Sequence, residues 1–379
     1  MKSFDVIVVG LGAVGSATAL ALARRGCRVL GLDRFSPPHR LGSHSGHTRL
    51  IRMTYFEHPD YVPLLRRAYE LWRQLEADSG CSILATPGGL YTGPSGGAFI
   101  EGTLRSADRH ALAMQRVDER ELENRFAGFT LPPGHAALFD PSAGYLFSDV
   151  AIEQHLHLAR ACAATVQTDS AVVDWRADGD GVRVTTATDE YAAGSLVLTA
   201  GPWMPGLARL KVPLRITHQW LAWFGTGAGD QSRHAPGVVW ASEDDEGSLF
   251  YGFPAMDHPE FGTTLKVARH VPGRTLAEPG ERAAAIDDER EKEILAGFVQ
   301  RRMPTLAGPI VGTQSCLYTI SPDQHFVMGL HPEHPHVAFA SACSGHGFKF
   351  APVLGEVMAD LATSGRTEKP VDFLGIGRF

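Results

Sequence analysis

The sequence predicts an α/β protein of two interleaved domains, one wound around a parallel sheet and one built on a mostly antiparallel sheet covered by helices. Three observations carry this. A strand, a glycine-rich turn, a helix and a second strand follow one another at the N-terminus; a second strand–glycine turn–helix unit lies near the C-terminus; and short strand-like segments separated by turns fill the middle. With 379 residues, 44% of them hydrophobic, the chain is too long for one small module and can bury a full core.

The N-terminal unit is the most informative. Asp5-Val6-Ile7-Val8-Val9 is β-branched and of strand length, Gly10-Leu11-Gly12-Ala13-Val14-Gly15 follows, and Ser16 to Arg25 is an Ala/Leu-rich helix. Cys27 to Leu32 is a second buried strand ending at Asp33. Glycines Gly10, Gly12 and Gly15 between strand and helix, with an acid about 20 positions on for a ribose hydroxyl, form the Rossmann-type dinucleotide fingerprint in its required context. Asp33 suits a free adenosine ribose rather than a 2′-phosphate, but does not separate NAD from FAD.

Further elements follow in order. Pro59 to Asp78 reads as an amphipathic helix with Tyr61, Leu64, Leu65, Ala68, Leu71, Trp72 and Leu75 on one stripe. Ser148 is placed to cap a helix from Asp149 to about Ala163. Val172 to Trp175, Val182 to Thr186 and Leu196 to Thr199 read as strands, and segments from Leu214 to His270 alternate with turns such as Asp245-Glu246-Gly247. A charged helix spans roughly Ile286 to Arg302, with Ile294, Leu295, Phe298 and Val299 turned inward, and stops before Pro304. These elements divide the chain into a discontinuous cofactor domain (1–85, 145–215 and 310–379) and a substrate domain (86–144 and 216–309).

Composition excludes several partners. The balance of 35 Lys+Arg against 42 Asp+Glu, net −7, with no basic block, removes the electrostatic footprint of a nucleic-acid binder. No stretch approaches the roughly 20 apolar residues of a membrane span, and the first residues run straight into a strand. Cys27, Cys81, Cys162, Cys316 and Cys343 are odd in number, widely spaced and without a CxxC pair, which fits a reducing cytoplasm better than a disulfide framework or a zinc site.

Two polar stretches hold the candidate site. Pro37 to Arg52, rich in His, Ser and Arg, follows the ribose-binding acid; Arg49 and Arg52, three apart on a helical turn, would address one anionic neighbourhood. Its three histidines raise a metal reading, but carboxylates or thiolates in ligand spacing are missing, so no metal is assigned. In the C-terminal third, Val337 to Ser341 runs into Cys343-Ser344-Gly345-His346-Gly347-Phe348-Lys349-Phe350, a geometry that aims backbone N–H groups at an anionic or electron-rich ring edge.

These motifs resemble the monomeric sarcosine oxidase and N-methyltryptophan oxidase family of FAD-dependent amine oxidases over nearly the whole chain. The resemblance rests on Gly42-Ser43-His44-x-Gly46-x-Thr48-Arg49-x-Ile51-Arg52, Tyr251-Gly252-Phe253-Pro254, Leu265-Lys266, Cys316-x-Tyr318-Thr319 with Asp323-x-His325-Phe326, and Ser344 to Phe350. It implies FAD held by Gly10, Gly12, Gly15, Asp33, Ser43, His44, Thr48, Arg49, Gly345, His346, Gly347, Phe348 and Lys349, with Cys316 bonded to the flavin 8α carbon. Lys266 would promote the reaction with oxygen, with Arg49 on the same face of the ring. Arg52 and Lys349 would grip the substrate carboxylate, and Tyr251 and His270 would line the cavity. The implied reaction oxidises the C–N bond of an N-methyl or cyclic α-amino acid such as sarcosine to an imine while O2 becomes H2O2, in a soluble monomer whose partners are small molecules.

Departures from the family concern the substrate. Ser45 and His47 replace His and Asp, the Tyr251–Lys266 segment is about four residues longer, Trp240 stands near the cavity in place of Met, and Ala342-Cys343 replaces Gly-Phe. A same-fold enzyme acting on another amine, a dehydrogenase serving a carrier protein, an NAD-dependent dehydrogenase, and a non-catalytic flavin or metal binder are the competing readings. The NAD-dependent dehydrogenase leaves Cys316 and the Ser344 to Phe350 loop unexplained, and the non-catalytic binder predicts no turnover with any amine and tight binding of a divalent ion.

Overall fold

The computed structural model describes residues 2–226, 237–270, 273–281, 289–305 and 308–379. Its N-terminal βαβ unit comprises strand Lys2–Val9, helix Ala13–Arg24 and strand Val29–Leu32. The β-branched run pairs in parallel with Val29–Leu32 on one side and with Glu190–Leu198 on the other. Glu190–Leu198 in turn pairs in parallel with His334–Ser341, and Thr165–Gln167 with Val29–Leu32, so five strands run parallel side by side and end together. Thr165–Gln167 and Val327–His331 close the two flanks, and the Val172–Asp178/Gly181–Thr186 hairpin extends the sheet to eight strands.

Both faces of this sheet are covered, as its continuous apolar strands require. On one face, Val6, Val8 and Val197 pack under helices Ala13–Arg24, Val62–Ser79, Ser148–Ala161 and Ala351–Ser364, with Trp72 fully buried among them. On the other, Ile7, Leu30, Leu196 and Phe339 pack with Trp175 and Met204. The helix stripe predicted from Tyr61 to Leu75 is the buried face of Val62–Ser79, which a 3₁₀ turn Pro59–Tyr61 precedes.

A second sheet of ten strands, mostly antiparallel, contains Gly89–Pro94, His135–Asp140, Arg215–Gly225, Val239–Glu243, Leu249–Gly252, Gly262–Arg269 and Ile310–Ile320. The Asp244–Ser248 turn joins Val239–Glu243 to Leu249–Gly252 as the sequence suggests. Helix Glu289–Arg302 covers its outer face through Leu295, Phe298 and Val299; the predicted start at Ile286 lies outside the described residues.

Two local expectations fail. Ser148 is the first residue of its helix rather than the cap: its hydroxyl has no partner among the described residues, and its N–H donates to the His47 carbonyl, because the chain turns directly from strand Gly144–Phe147 into the helix. Thr48–Ile51 is a strand of a small three-stranded sheet, not a helical turn. Arg52 follows the end of that strand, so the helical spacing expected to put it on one face with Arg49 does not apply.

Helix Ala351–Ser364 crosses Ala13–Arg24 so closely that a Cβ on Gly355 would stand 2.7 Å from the Ala17 carbonyl carbon. Backbone cannot yield there, so Gly355→Leu is expected to cost at least the about 1–3 kcal/mol of an overpacked core. Thermal unfolding should show a clear drop for this variant and almost none for Gly96→Ala, where a Cβ meets nothing within 4 Å.

Candidate functional site

Five parallel strands ending together leave a crevice at their carboxyl ends. Val9, Gly10, Leu32, Asp33, Thr199, Ala340 and Ser341 line it, and it opens into one cavity of about 530 Å³. Gly10 has φ +87°, and a Cβ there would stand 2.6 Å from the Thr199 carbonyl; a Cβ on Gly15 would fall on the Gly10 carbonyl oxygen. The glycines thus hold the helix start against the strand ends, and the helix N-terminus faces the crevice. Asp33, buried at its mouth, accepts from the Leu11 and Phe35 N–H groups at 2.6 and 2.8 Å. The second glycine turn closes the opposite wall. Gly345, φ +82°, sits where a Cβ would stand 2.5 Å from the Tyr318 ring and 2.6 Å from His270.

Most of the residues singled out from the sequence meet at this cavity. Gly10, Gly12, Asp33, Ser43, His44, Arg49, Arg52, Tyr251, His270, Cys316, Gly345, His346, Gly347, Phe348 and Lys349 all line it. Gly15 stands behind the turn. Thr48 and Lys266 are displaced from the wall: the Lys266 ammonium donates to the carbonyls of Gly46 at 2.6 Å and Thr48 at 2.8 Å, beneath the turn that leads into the strand carrying Arg49. Burial, reinforced by Arg49, pushes the Lys266 amine well below the usual lysine range. Arg49 itself donates to the carbonyls of Ser43, Ser45 and Thr48.

Arg52 lines the same cavity as Arg49 but has a different set of partners. Arg52 is stacked 4.6 Å over Tyr55 and 4.7 Å over Phe56, donates to the Thr54 carbonyl at 2.6 Å, and grips both oxygens of Glu57 at 2.8 Å. Glu57 was not among the residues read from the sequence; its only trace there is an acid five positions after Arg52, which spacing alone does not distinguish from a surface glutamate. Burial alone would raise its carboxyl, but Arg52, with His346 and Lys349 behind it, holds it down at about 2. With Arg52 matched by Glu57, Lys349 is the cation beside it that has no carboxylate partner among the described residues. Its ammonium donates to the His346 carbonyl at 2.7 Å, and burial together with Arg52 lowers it to about 7. Burial keeps His270 at about 4 and His346 at about 3, so both are neutral at pH 7. Tyr251, raised by burial to about 12, stays protonated.

Trp240 lies away from the cavity. Along strand Val239–Glu243 side chains alternate, and Trp240 points to the outer face, where its ring stacks 5.7 Å from Phe298, leaving Ala241 to line the cavity. The lengthened segment after Tyr251 forms strand Met256–His258 against Gly262–Arg269, bringing Glu260 onto Arg40 and His258 within 5.6 Å of the His47 ring.

The crevice fits a dinucleotide by its glycine cradle, its buried ribose acid and the Ser43 hydroxyl, which lies buried with no partner among the described residues. Joined to a chamber of buried cations and neutral proton acceptors, it defines a cofactor-dependent oxidoreductase acting on a small molecule. The chain belongs to the FAD-dependent oxidoreductase family DAO, whose pattern matches residues 5–361. It is 39% identical to a monomeric sarcosine oxidase of Streptomyces avermitilis over 97% of this chain and 96% of that protein. It is 34% identical to an N-methyl-L-tryptophan oxidase of Salmonella dublin over 95% of this chain and 94% of that one. Its fold is similar to that of NikD, described as an unusual amino acid oxidase essential for nikkomycin biosynthesis, with TM-score 0.87 and 28% identity over 99% of this chain and 97% of that one. No helix among the described residues is long and apolar enough to cross a membrane.

The Arg52–Glu57 pair is buried on both sides, and removing one partner strands a charge, at a cost of about 3–5 kcal/mol. Since the folded value of Glu57 lies below that of the unfolded chain, its contribution is complete above about pH 4.3 and is lost as pH falls towards about 2. Denaturant midpoints should therefore separate wild type from Glu57→Gln widely at pH 7, and the gap should narrow as pH falls below 4.

Proposed function

We propose that the protein is an oxidase that removes two electrons from the C–N bond of a secondary α-amino acid, N-methylated or cyclic, to leave an imine, with O2 reduced to H2O2. The observation that carries this is the chamber itself: Lys349 and Arg52, from segments nearly 300 residues apart, both face one cavity continuous with the cofactor crevice. The relatives, named for oxidising sarcosine and N-methyltryptophan, support an N-alkyl amino acid as the substrate class.

In this reading segments 1–85, 145–215 and 310–379 serve the flavin and the remaining segments serve the substrate. Gly10, Gly12, Gly15, Asp33, Ser43, His44, Thr48 and Arg49 with the Gly345–Lys349 turn hold FAD, and Cys316, whose side chain is buried and lines the cavity, is its covalent attachment point. When bound, the flavin supplies the acceptor for the substrate's hydride. Every other task falls to the chain. Lys349 has two N–H bonds left after His346 and receives the substrate carboxylate, with the Arg52 guanidinium beside it; this fixes the α-carbon against the cofactor. His270, neutral at working pH, accepts the proton that the incoming ammonium must lose, and Tyr251 donates a hydrogen bond. Lys266, held by carbonyls on the Arg49 side, lends positive charge and a proton to oxygen as it becomes peroxide. The five cysteines, none in a disulfide, support a reducing cytoplasm, where the protein acts as a monomer on small molecules.

Oxygen consumption tests the reaction class. Sarcosine, N-methylalanine and proline should be oxidised, while their decarboxylated counterparts should be poor substrates; equal rates for both sets would sink the amino-acid assignment. Cys316→Ser should release into the supernatant of an acid precipitation the yellow cofactor that the wild-type pellet retains.

The same chamber gives a pH signature. Lys349 holds a carboxylate only when protonated, so the inhibition constant of a small inert acid should rise tenfold per pH unit above about 7. In Lys349→Met it should be weaker by roughly the 1.5–3 kcal/mol of a charge-assisted hydrogen bond and flat across the same range.

A further inference from the structure

The chamber continues beyond the carboxylate anchor into an apolar recess. Its floor is the ten-stranded sheet. Ala241 stands directly opposite Tyr91 on one neighbouring strand and Tyr251 on the other, and directly opposed residues share a face. The row therefore reads Tyr, Ala, Tyr: the one small side chain between two rings leaves a notch. Leu249, two residues before Tyr251 on the same face, forms one edge. Phe99, 5.6 Å from the Tyr91 ring and edge-on to it, forms another. The roof comes from the segment that carries the anchor, as Leu50 and Phe56. Phe56 meets Phe99 at 5.1 Å, and its ring is the platform on which the Arg52 guanidinium rests at 4.7 Å. Leu50, Phe56, Phe99, Ala241, Leu249 and Tyr251 all line the cavity and belong to one apolar cluster.

We propose that this recess receives the α-side chain of the substrate, and that the enzyme prefers N-alkyl amino acids bearing a large apolar side chain, of the size of Leu or Phe, over sarcosine. The argument rests on the amino-acid oxidase reading and adds the side chain to it. A carboxylate held between Lys349 and Arg52 leaves an α-substituent beside Phe56, at the mouth of the notch. The ion pair at that mouth, Arg52 with Glu57, is already matched, so the recess offers no buried charge for a polar substituent to satisfy. A hydrogen in place of the side chain would leave the notch without the contacts that its apolar walls can make. Trp240 contributes through its orientation: pointing outward, it leaves the floor to alanine.

Each methylene buried in such a recess is worth about a fourfold gain in kcat/KM, so N-methylleucine and N-methylphenylalanine should exceed sarcosine by on the order of 10²-fold. In Ala241→Phe, which fills the notch, the ratio of the N-methylphenylalanine to the sarcosine value should collapse by at least tenfold. Ala241→Leu, a smaller intrusion, serves if the first variant does not fold. Calorimetric binding of two inert acids, acetate and 3-phenylpropionate, gives a readout without turnover: the wild type should bind phenylpropionate more tightly, and the preference should shrink in the same variants. If sarcosine matches N-methylphenylalanine in the wild type and the variants leave both ratios unchanged, the recess proposal is overturned. If no amino acid consumes oxygen while phenylpropionate still outbinds acetate through Ala241, the recess stands and the oxidase reading falls.

Discussion

Everything in this molecule is hung on the close approach of one helix start to one strand end. Gly10 and Gly15 face each other without side chains, and Thr199 from the neighbouring strand closes the contact by donating its hydroxyl to the Gly10 carbonyl at 2.8 Å. That contact sets the helix N-terminus over the crevice at the ends of the parallel strands. It also leaves the Leu11 N–H to Asp33, so the acid is oriented by the turn it serves. Two residues further along the same helix the device is repeated, with Gly355 meeting Ala17. Both are contacts in which a methyl group has no room, and together they position the cofactor crevice before any charged residue is considered.

The substrate end is governed by charge management in a water-poor space. Arg52, Lys349 and Lys266 are all buried, and each is handled differently. Arg52 is given a carboxylate and two aromatic rings; Lys266 is given carbonyl oxygens; Lys349 is given a single carbonyl and is left to soften towards neutrality. A buried cation without a partner is costly, and that differential treatment makes Lys349 the group most responsive to an arriving anion. Glu57 is the hinge of the arrangement, since it sits within electrostatic reach of Arg52, His346, Lys349 and His270 at once.

The cofactor half was legible in the chain because its signals are local. Strand, Gly10 to Gly15, helix, strand and Asp33 lie within 33 consecutive residues, and the Ser344 to Phe350 loop is contiguous. The periodicity of Tyr61 to Leu75 marks a buried stripe whatever it packs against. Local pattern was also where the reading went astray when two local geometries competed: Thr48 to Arg52 has a spacing that a helical turn would put on one face, but pairing with Gly144–Phe147 makes Thr48–Ile51 a strand.

By itself the sequence determined the fold class, the crevice at the strand ends and the residue types gathered around it, because glycine turns and apolar runs act over a few residues. Only the tertiary structure decided which acid neutralises Arg52, that Lys266 lies beneath a turn rather than on the cavity wall, and that Trp240 faces outward while Ala241 faces the chamber. Those outcomes depend on which strand pairs with which and in what register. A one-residue difference in facing exchanges an indole for a methyl group, and buried charge finds its partner in space rather than along the chain.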